Sequence, residues 1–133
     1  MRYPIAIEVA DGSHAFGVVV PDLPGCFSAG DTLEEAIANA PEAIALWLSE
    51  IIDAGKVAPL PKPIEVHRKR REFKGWVWAV VEVDLSKIAD KAERINITLP
   101  SRLLKRVDAK AAKSGESRSG FLARAAMEAL AER

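Results

Sequence analysis

Between residues 94 and 100 the chain reads RINITLP, in which Ile95, Ile97 and Leu99 alternate with Arg94, Asn96 and Thr98. That period-two pattern predicts a strand with one apolar and one polar face. The polar face carries a guanidinium, a carboxamide and a hydroxyl, which match the base edges of a DNA major groove. Arg pairs bidentately with guanine, Asn with adenine, and Thr can donate, accept or touch a thymine methyl. Further on, GESRSG predicts a helix start whose free N–H groups and positive dipole end suit phosphate. Ser117, Arg118 and Ser119 are the anchors expected there, fixing register without reading sequence.

A strand needs a mate for its backbone N–H and C=O groups, and Pro100 closes this one. The residues beyond Pro100 predict two short helices. The first has Ser101 as cap, Leu103, Leu104, Val107 and Ala111 inward, and Gly115 at its end; the second has Ser117 as cap and Phe121, Leu122, Ala125, Ala126 and Leu130 apolar. A unit of about 40 residues folds with the help of metal, disulfides or oligomerisation. Metal ligands and paired cysteines are lacking, so oligomerisation remains. Two copies about a twofold axis would pair their strands antiparallel, placing Ile95, Ile97 and Leu99 in a shared dimer core and doubling the Arg94/Asn96/Thr98 face. The alternative is a strand that pairs within its own chain, with WVWAVVEV at 76–83.

Other chemistry is thinner. Two-metal nuclease chemistry needs converging carboxylates; Glu8, Asp11, Asp22 and Asp31 are available, but Asp11 belongs to a turn and Asp31 to a helix start, so no enzymatic activity is expected. Cys26, the single cysteine, has no basic neighbour to activate it and is expected as a small buried side chain. His14 and His67 are expected to be solvated, and Arg68–Arg71 to form a soluble edge. No metal or other cofactor is implied. The chain is 133 residues long, 49% hydrophobic and 29% charged, in the range of an ordinary soluble domain. With no apolar run near the ~18 residues of a membrane span and no signal-peptide pattern, a reducing cytoplasm is the expected compartment. The zero net charge is divided: residues 1–63 hold three basic and nine acidic side chains, residues 64–93 seven and six, and residues 94–133 nine and four. An acidic front and a basic back suit two different partners, a basic one and a polyanion; two solvated surfaces with a chance imbalance would look the same.

The front half predicts strands over YPIAIEV (3–9) and AFGVVV (15–20), joined at the Asp11-Gly12 turn within ADGS, and a short strand around Cys26 and Phe27 that ends at Gly30. A long helix comes next, capped by Asp31 or Thr32 with Glu34 or Glu35 three residues on. Its apolar face is Leu33, Ile37, Ala40, Ile44, Trp47, Leu48 and Ile51. Pro41 predicts a kink or break near Ala40. After the proline-rich connector KVAPLPKP, GWVWAVVEVDL predicts a strand buried in a sheet. The fold class is therefore α+β: a small β-β-β-α-β sheet with one covering helix over residues 1–85, a junction at 86–93, and the strand–helix–helix unit at 94–133.

Two resemblances add to this reading. RINITLPSRLLKRVDAKAAKSGESRSGFLARAAMEAL resembles a ribbon–helix–helix DNA-binding domain, which implies an obligate dimer on palindromic operators. Gly120 departs from it, since an acidic residue there more often completes a capping box with Ser117. PDLPGCFSAGDTLEEAIANAPEAIALWLSEIIDAG resembles the N-terminal domain of HicB-type antitoxins, which implies a truncated, partial ribonuclease-H-like fold. Together they imply a cytoplasmic homodimer, or a dimer of dimers. It would neutralise an mRNA-cleaving HicA-type toxin and repress its own operon by binding operator DNA. Toxin-contacting residues are not identified; Asp31, Glu34 and Glu35 are candidates on charge alone, with helix capping as the plainer role. The alternative is a stand-alone transcriptional regulator whose front domain binds another protein or a small ligand.

Overall fold

The alternation in YPIAIEV becomes the central strand of a four-stranded antiparallel sheet. The computed structural model describes residues 1–9, 11–12, 15–88 and 93–131. Expectations for Ala10 and Ser13 of the first turn, for His14, for residues 89–92 of the junction and for the last two residues lie outside the described residues. Strands β1 (Arg2–Glu8), β2 (Phe16–Val19), β3 (Phe27–Gly30) and β4 (Val77–Glu82) lie in the order β3-β2-β1-β4. Helix α1 (Leu33–Asp53) follows β3, a single turn α2 (Ile64–His67) precedes β4, and α3 (Ser101–Lys113) and α4 (Arg118–Leu130) come last. The mixed α+β class and the β-β-β-α-β order of the front half agree with the sequence reading.

Register explains the core. Tyr3, Ile5 and Ile7 share a face with their partners Val81, Ala79 and Val18, and this face is buried with Ala36, Ala40, Ile44 and Leu48 of α1. The helical spacing of those four residues is what lets one helix cover the sheet. Pro4 and Ala6 point the other way, paired with Val80 and Trp78. That second face is partly covered by the segment after α2. His67 stacks on Trp78 with centroids 6.4 Å apart, and Phe73 meets Trp78 edge-on at 5.4 Å. The connector is tied down by the Tyr3 hydroxyl, which donates to the Pro59 carbonyl at 2.7 Å, and burial pushes the Tyr3 phenol pKa up.

Several expectations need correction. α1 runs without a break through Pro41; the apolar stripe holds both halves on the sheet, which offsets the hydrogen bond that the imino acid cannot donate. Its cap is Thr32, whose hydroxyl accepts from the Glu35 N–H at 3.0 Å, and not Asp31. Leu33 lies at the exposed start of the helix. β4 is not a strand buried in the middle of the sheet but an edge strand, paired with β1, and its Val80 is 50% exposed. His67 is not solvated but buried.

Pro41→Ala supplies the amide that the Ile37 carbonyl lacks. It should stabilise the fold by about 1–3 kcal/mol, less the gain in unfolded-chain freedom; a urea midpoint that stays put or falls would contradict this.

Candidate nucleic-acid interface

Residues 94–100 lie in neither a helix nor a strand. β4 pairs with β1, and among the described residues no strand of the chain pairs with 94–100. Arg94, Asn96 and Thr98 are exposed, as sequence reasoning requires of a recognition face, but so are the residues assigned to a core: Ile95 is 72% and Ile97 58% exposed, with Leu99 half-buried. In a single chain this segment therefore has no strand partner among the described residues and an uncovered apolar row together.

Helix α3 begins at Ser101 with Pro100 in the cap position and no side-chain capping bond, which corrects the expectation of Ser101 as cap. Val107 and Ala111 are buried, while Leu103 is exposed. The helix ends at Gly115, whose φ of +66° favours glycine. Arg2 of β1 lies against it: a Cβ at Gly115 would sit 2.2 Å from Arg2 Nε, a cation near the negative end of a helix. The loop is held by Arg124, which donates to Glu116 from Nε and Nη2 at 3.0 and 2.9 Å and to Glu128 from Nη1 at 2.9 Å. These bonds raise the guanidinium pKa, Glu116 foremost. Sequence reasoning did not single out this network, although the i, i+4 spacing of Arg124 and Glu128 is a usable signal.

Ser117 caps α4, its Oγ accepting from the Gly120 N–H at 2.9 Å. That hydroxyl also donates to Asp84 Oδ2 at 2.7 Å. Asp84 stands just after β4, where Oδ1 accepts from the Ser86 N–H at 2.9 Å and the Ser86 hydroxyl at 2.6 Å. Partial burial works to raise the Asp84 pKa, but the hydrogen bonds from Ser86 and Ser117, with Lys87 nearby, outweigh it and hold the carboxyl below the usual aspartate range. The contact is part of a larger seam. Leu85 is buried and Ile88, Ala123 and Met127 pack against the main core, so α4 docks on the sheet through its 120/123/127 face. Arg118 forms a bidentate pair with Asp108 at 2.9 and 2.8 Å, and Ser119 is exposed. Leu130, expected as apolar packing, is 80% exposed.

In the front half, Asp31, Glu34 and Glu35 are exposed at the start of α1. Every charged side chain of α1 is acidic, and on its outward side Glu35, Glu42, Glu50 and Asp53 flank Leu46, which is 66% exposed. Asp22 is elsewhere: its side chain is 3% exposed and that of His67 6%, with Oδ1 and Nε2 3.0 Å apart. Asp22 Oδ1 also accepts from the Lys62 N–H at 3.1 Å, and Oδ2 is buried with no hydrogen-bond partner among the described residues. Among the described residues no three His, Cys, Asp or Glu side chains come together as a metal site. Cys26 is buried, which pushes its thiol pKa up. No helix among the described residues is long and apolar enough to cross a membrane.

Comparison with known proteins bears on the whole chain. Residues 3–126 match the sequence profile of a family described as HicB_like antitoxin of bacterial toxin-antitoxin system. An uncharacterized 14.9 kDa protein from the rep-hol intergenic region of Haemophilus phage HP1 is 46% identical over 132 residues, 98% of either chain. The crystal structure of the Burkholderia pseudomallei antitoxin HicB superposes with a TM-score of 0.73 at 45% identity, covering 98% of this chain and 99% of that one. A chain from the HicA3 and HicB3 toxin-antitoxin complex superposes with a TM-score of 0.54 at 32% identity, covering 63% of this chain and 99% of that one.

Two substitutions probe the buried and capping carboxylates. His67→Ala strands a buried carboxylate and should cost about 3 kcal/mol, measured by chemical denaturation, with His67→Gln costing less. Because the Asp84 pKa is lowered on folding, its contribution is complete above the ordinary aspartate value of about 3.9 and is lost as pH falls through the lower folded value. Asp84→Asn should therefore flatten the acid limb of the stability–pH curve below about pH 4; an unchanged limb would place the acid sensitivity elsewhere.

Proposed function

Because the chain belongs to the HicB-like antitoxin family, we propose that it is the antitoxin of a toxin–antitoxin pair: its sheet domain neutralises a HicA-type toxin, and its C-terminal segment represses the operon as a dimeric ribbon–helix–helix unit. The toxin half of the reading is supported by the likeness to the antitoxin of the HicA3 and HicB3 complex. That likeness covers 63% of this chain and 99% of the other. The acidic α1 surface gives a basic protein partner an electrostatic landing site and would repel nucleic acid. In this reading residues 1–85 form the toxin-binding domain, with a truncated ribonuclease-H-like topology, 86–93 the linker and 94–133 the DNA-binding unit, all working in the cytoplasm.

The DNA half rests on one observation: the unmated segment 94–100. Pairing it antiparallel with the same segment of a second copy satisfies its backbone and buries Ile95, Ile97 and Leu99 together with Leu103 and Leu130, which a single chain leaves exposed. The same step presents Arg94, Asn96 and Thr98 twice on a ribbon that fits the major groove. Ser117, Arg118 and Ser119 at the start of α4 then anchor the flanking phosphates.

Asn96→Ala should cost about 1–3 kcal/mol of discrimination between operator and random duplex while the dimer mass by light scattering stays the same. Equal discrimination by variant and parent would remove the ribbon face as the reader.

A further inference from the structure

The N-terminus of α4 is already occupied. Ser117 Oγ, the hydroxyl that the DNA-binding reading assigns to a phosphate, donates instead to the Asp84 carboxylate at 2.7 Å. The carboxylate comes from 33 residues earlier in the chain, carried on the segment that follows β4. A carboxylate and a phosphate ask the same things of a helix start: N–H and O–H donors, and the positive end of the dipole. One cannot sit there while the other does.

A second observation bears on the same place. A Cβ built on Gly120 would lie 3.0 Å from Asp84 Oδ1 and 3.1 Å from Ser117 Oγ. Position 120 is the third residue after the cap, where an acidic side chain commonly completes a capping box. Here such a side chain would collide with Asp84, and Gly120 is buried beneath it. The glycine, a weak helix former, leaves room for an acid delivered from another part of the chain. The neighbouring anchor is engaged as well, since Arg118 is held bidentately by Asp108. That pair is exposed, so it exchanges for a phosphate at little cost; Asp84 is the stronger lock because the seam of Leu85, Ile88, Ala123 and Met127 holds it in place.

We propose that Asp84 is a built-in phosphate mimic: docking of α4 on the sheet domain seats its carboxylate where a DNA phosphate would bind, so the docked chain and the DNA-bound chain exclude one another. The inference rests on the DNA-binding reading above and adds its regulation. Whatever stabilises the seam between α4 and the Leu85–Lys87 turn weakens DNA binding, and whatever opens it strengthens DNA binding.

The test titrates full-length protein into a fluorescent operator duplex at several salt concentrations. Asp84→Asn removes the charge and keeps an acceptor for Ser86. Gly120→Ala leaves Asp84 and Ser117 intact, favours the helix, and forces the carboxylate back by a few tenths of an ångström. Both should bind DNA about five- to tenfold tighter than the parent, and Asp84→Asn should show a steeper salt dependence, by about one phosphate per protomer. In the parent protein, adding duplex should speed amide exchange over residues 84–88. If the parent binds DNA and both variants bind it equally or more weakly, with exchange over 84–88 unchanged or slowed, the mimic is overturned and the DNA-binding reading stands. If neither parent nor variants bind duplex DNA, both fall.

Discussion

A backbone that has lost water must find another partner, and this chain is organised by where that requirement is met and where it is not. In the front half it is met within one molecule. β1 pairs with β4 over Arg2–Ile7 and with β2 over Ala6–Glu8. Tyr3, Ile5 and Ile7 sit on this paired strand with no exposure at all. α1 closes that face, and the proline connector is fastened by the Tyr3 hydroxyl. Residues 94–100 keep their water instead, exposed at every position but Leu99. The same alternation that makes β1 a core strand leaves Ile95 and Ile97 uncovered, because among the described residues no strand pairs with them.

These two outcomes divide the molecule by charge as well as by packing. The self-sufficient part is acidic, and every charged side chain of its long helix is a carboxylate. The part that lacks a partner is basic. Between them lies a seam that is neither wholly apolar nor wholly polar: Leu85, Ile88, Ala123 and Met127 supply its contact area, and Asp84, Ser86 and Ser117 fix its alignment. Arg124 and Glu116 stiffen the helix pair from within, so what the seam grips is a preformed unit.

Features with a local cause were legible in the sequence. The alternation of β1 and β2, the cap at Ser117 and the stop at Gly115 each need only a few neighbouring residues to explain them, and each was anticipated. What was hidden depends on distant partners. His67 sits among Arg and Lys, which spoke for solvent, yet Asp22 lies 45 residues away and draws it inward. β4 is apolar on both sides, the mark of a central strand, but a four-stranded order places it at the edge, and its second face is partly covered where His67 and Phe73 meet Trp78. Pro41 promised a break, and the buried stripe on either side of it prevented one. Asp84 carries no motif; only the fold brings it to α4. The strand face at 94–98 is the reverse case, conspicuous in sequence and unmated in a single chain.

The other end of the sheet handles its exposed edge differently. β3 is only four residues long, and the carboxamide of Asn39, reaching over from α1, donates to its Ala29 carbonyl at 2.9 Å. An edge so short, with one acceptor already engaged, offers little for a foreign strand to zip onto. A molecule that leaves the segment 94–100 unpaired thus keeps its β3 border blunt, which works against open-ended sheet growth there.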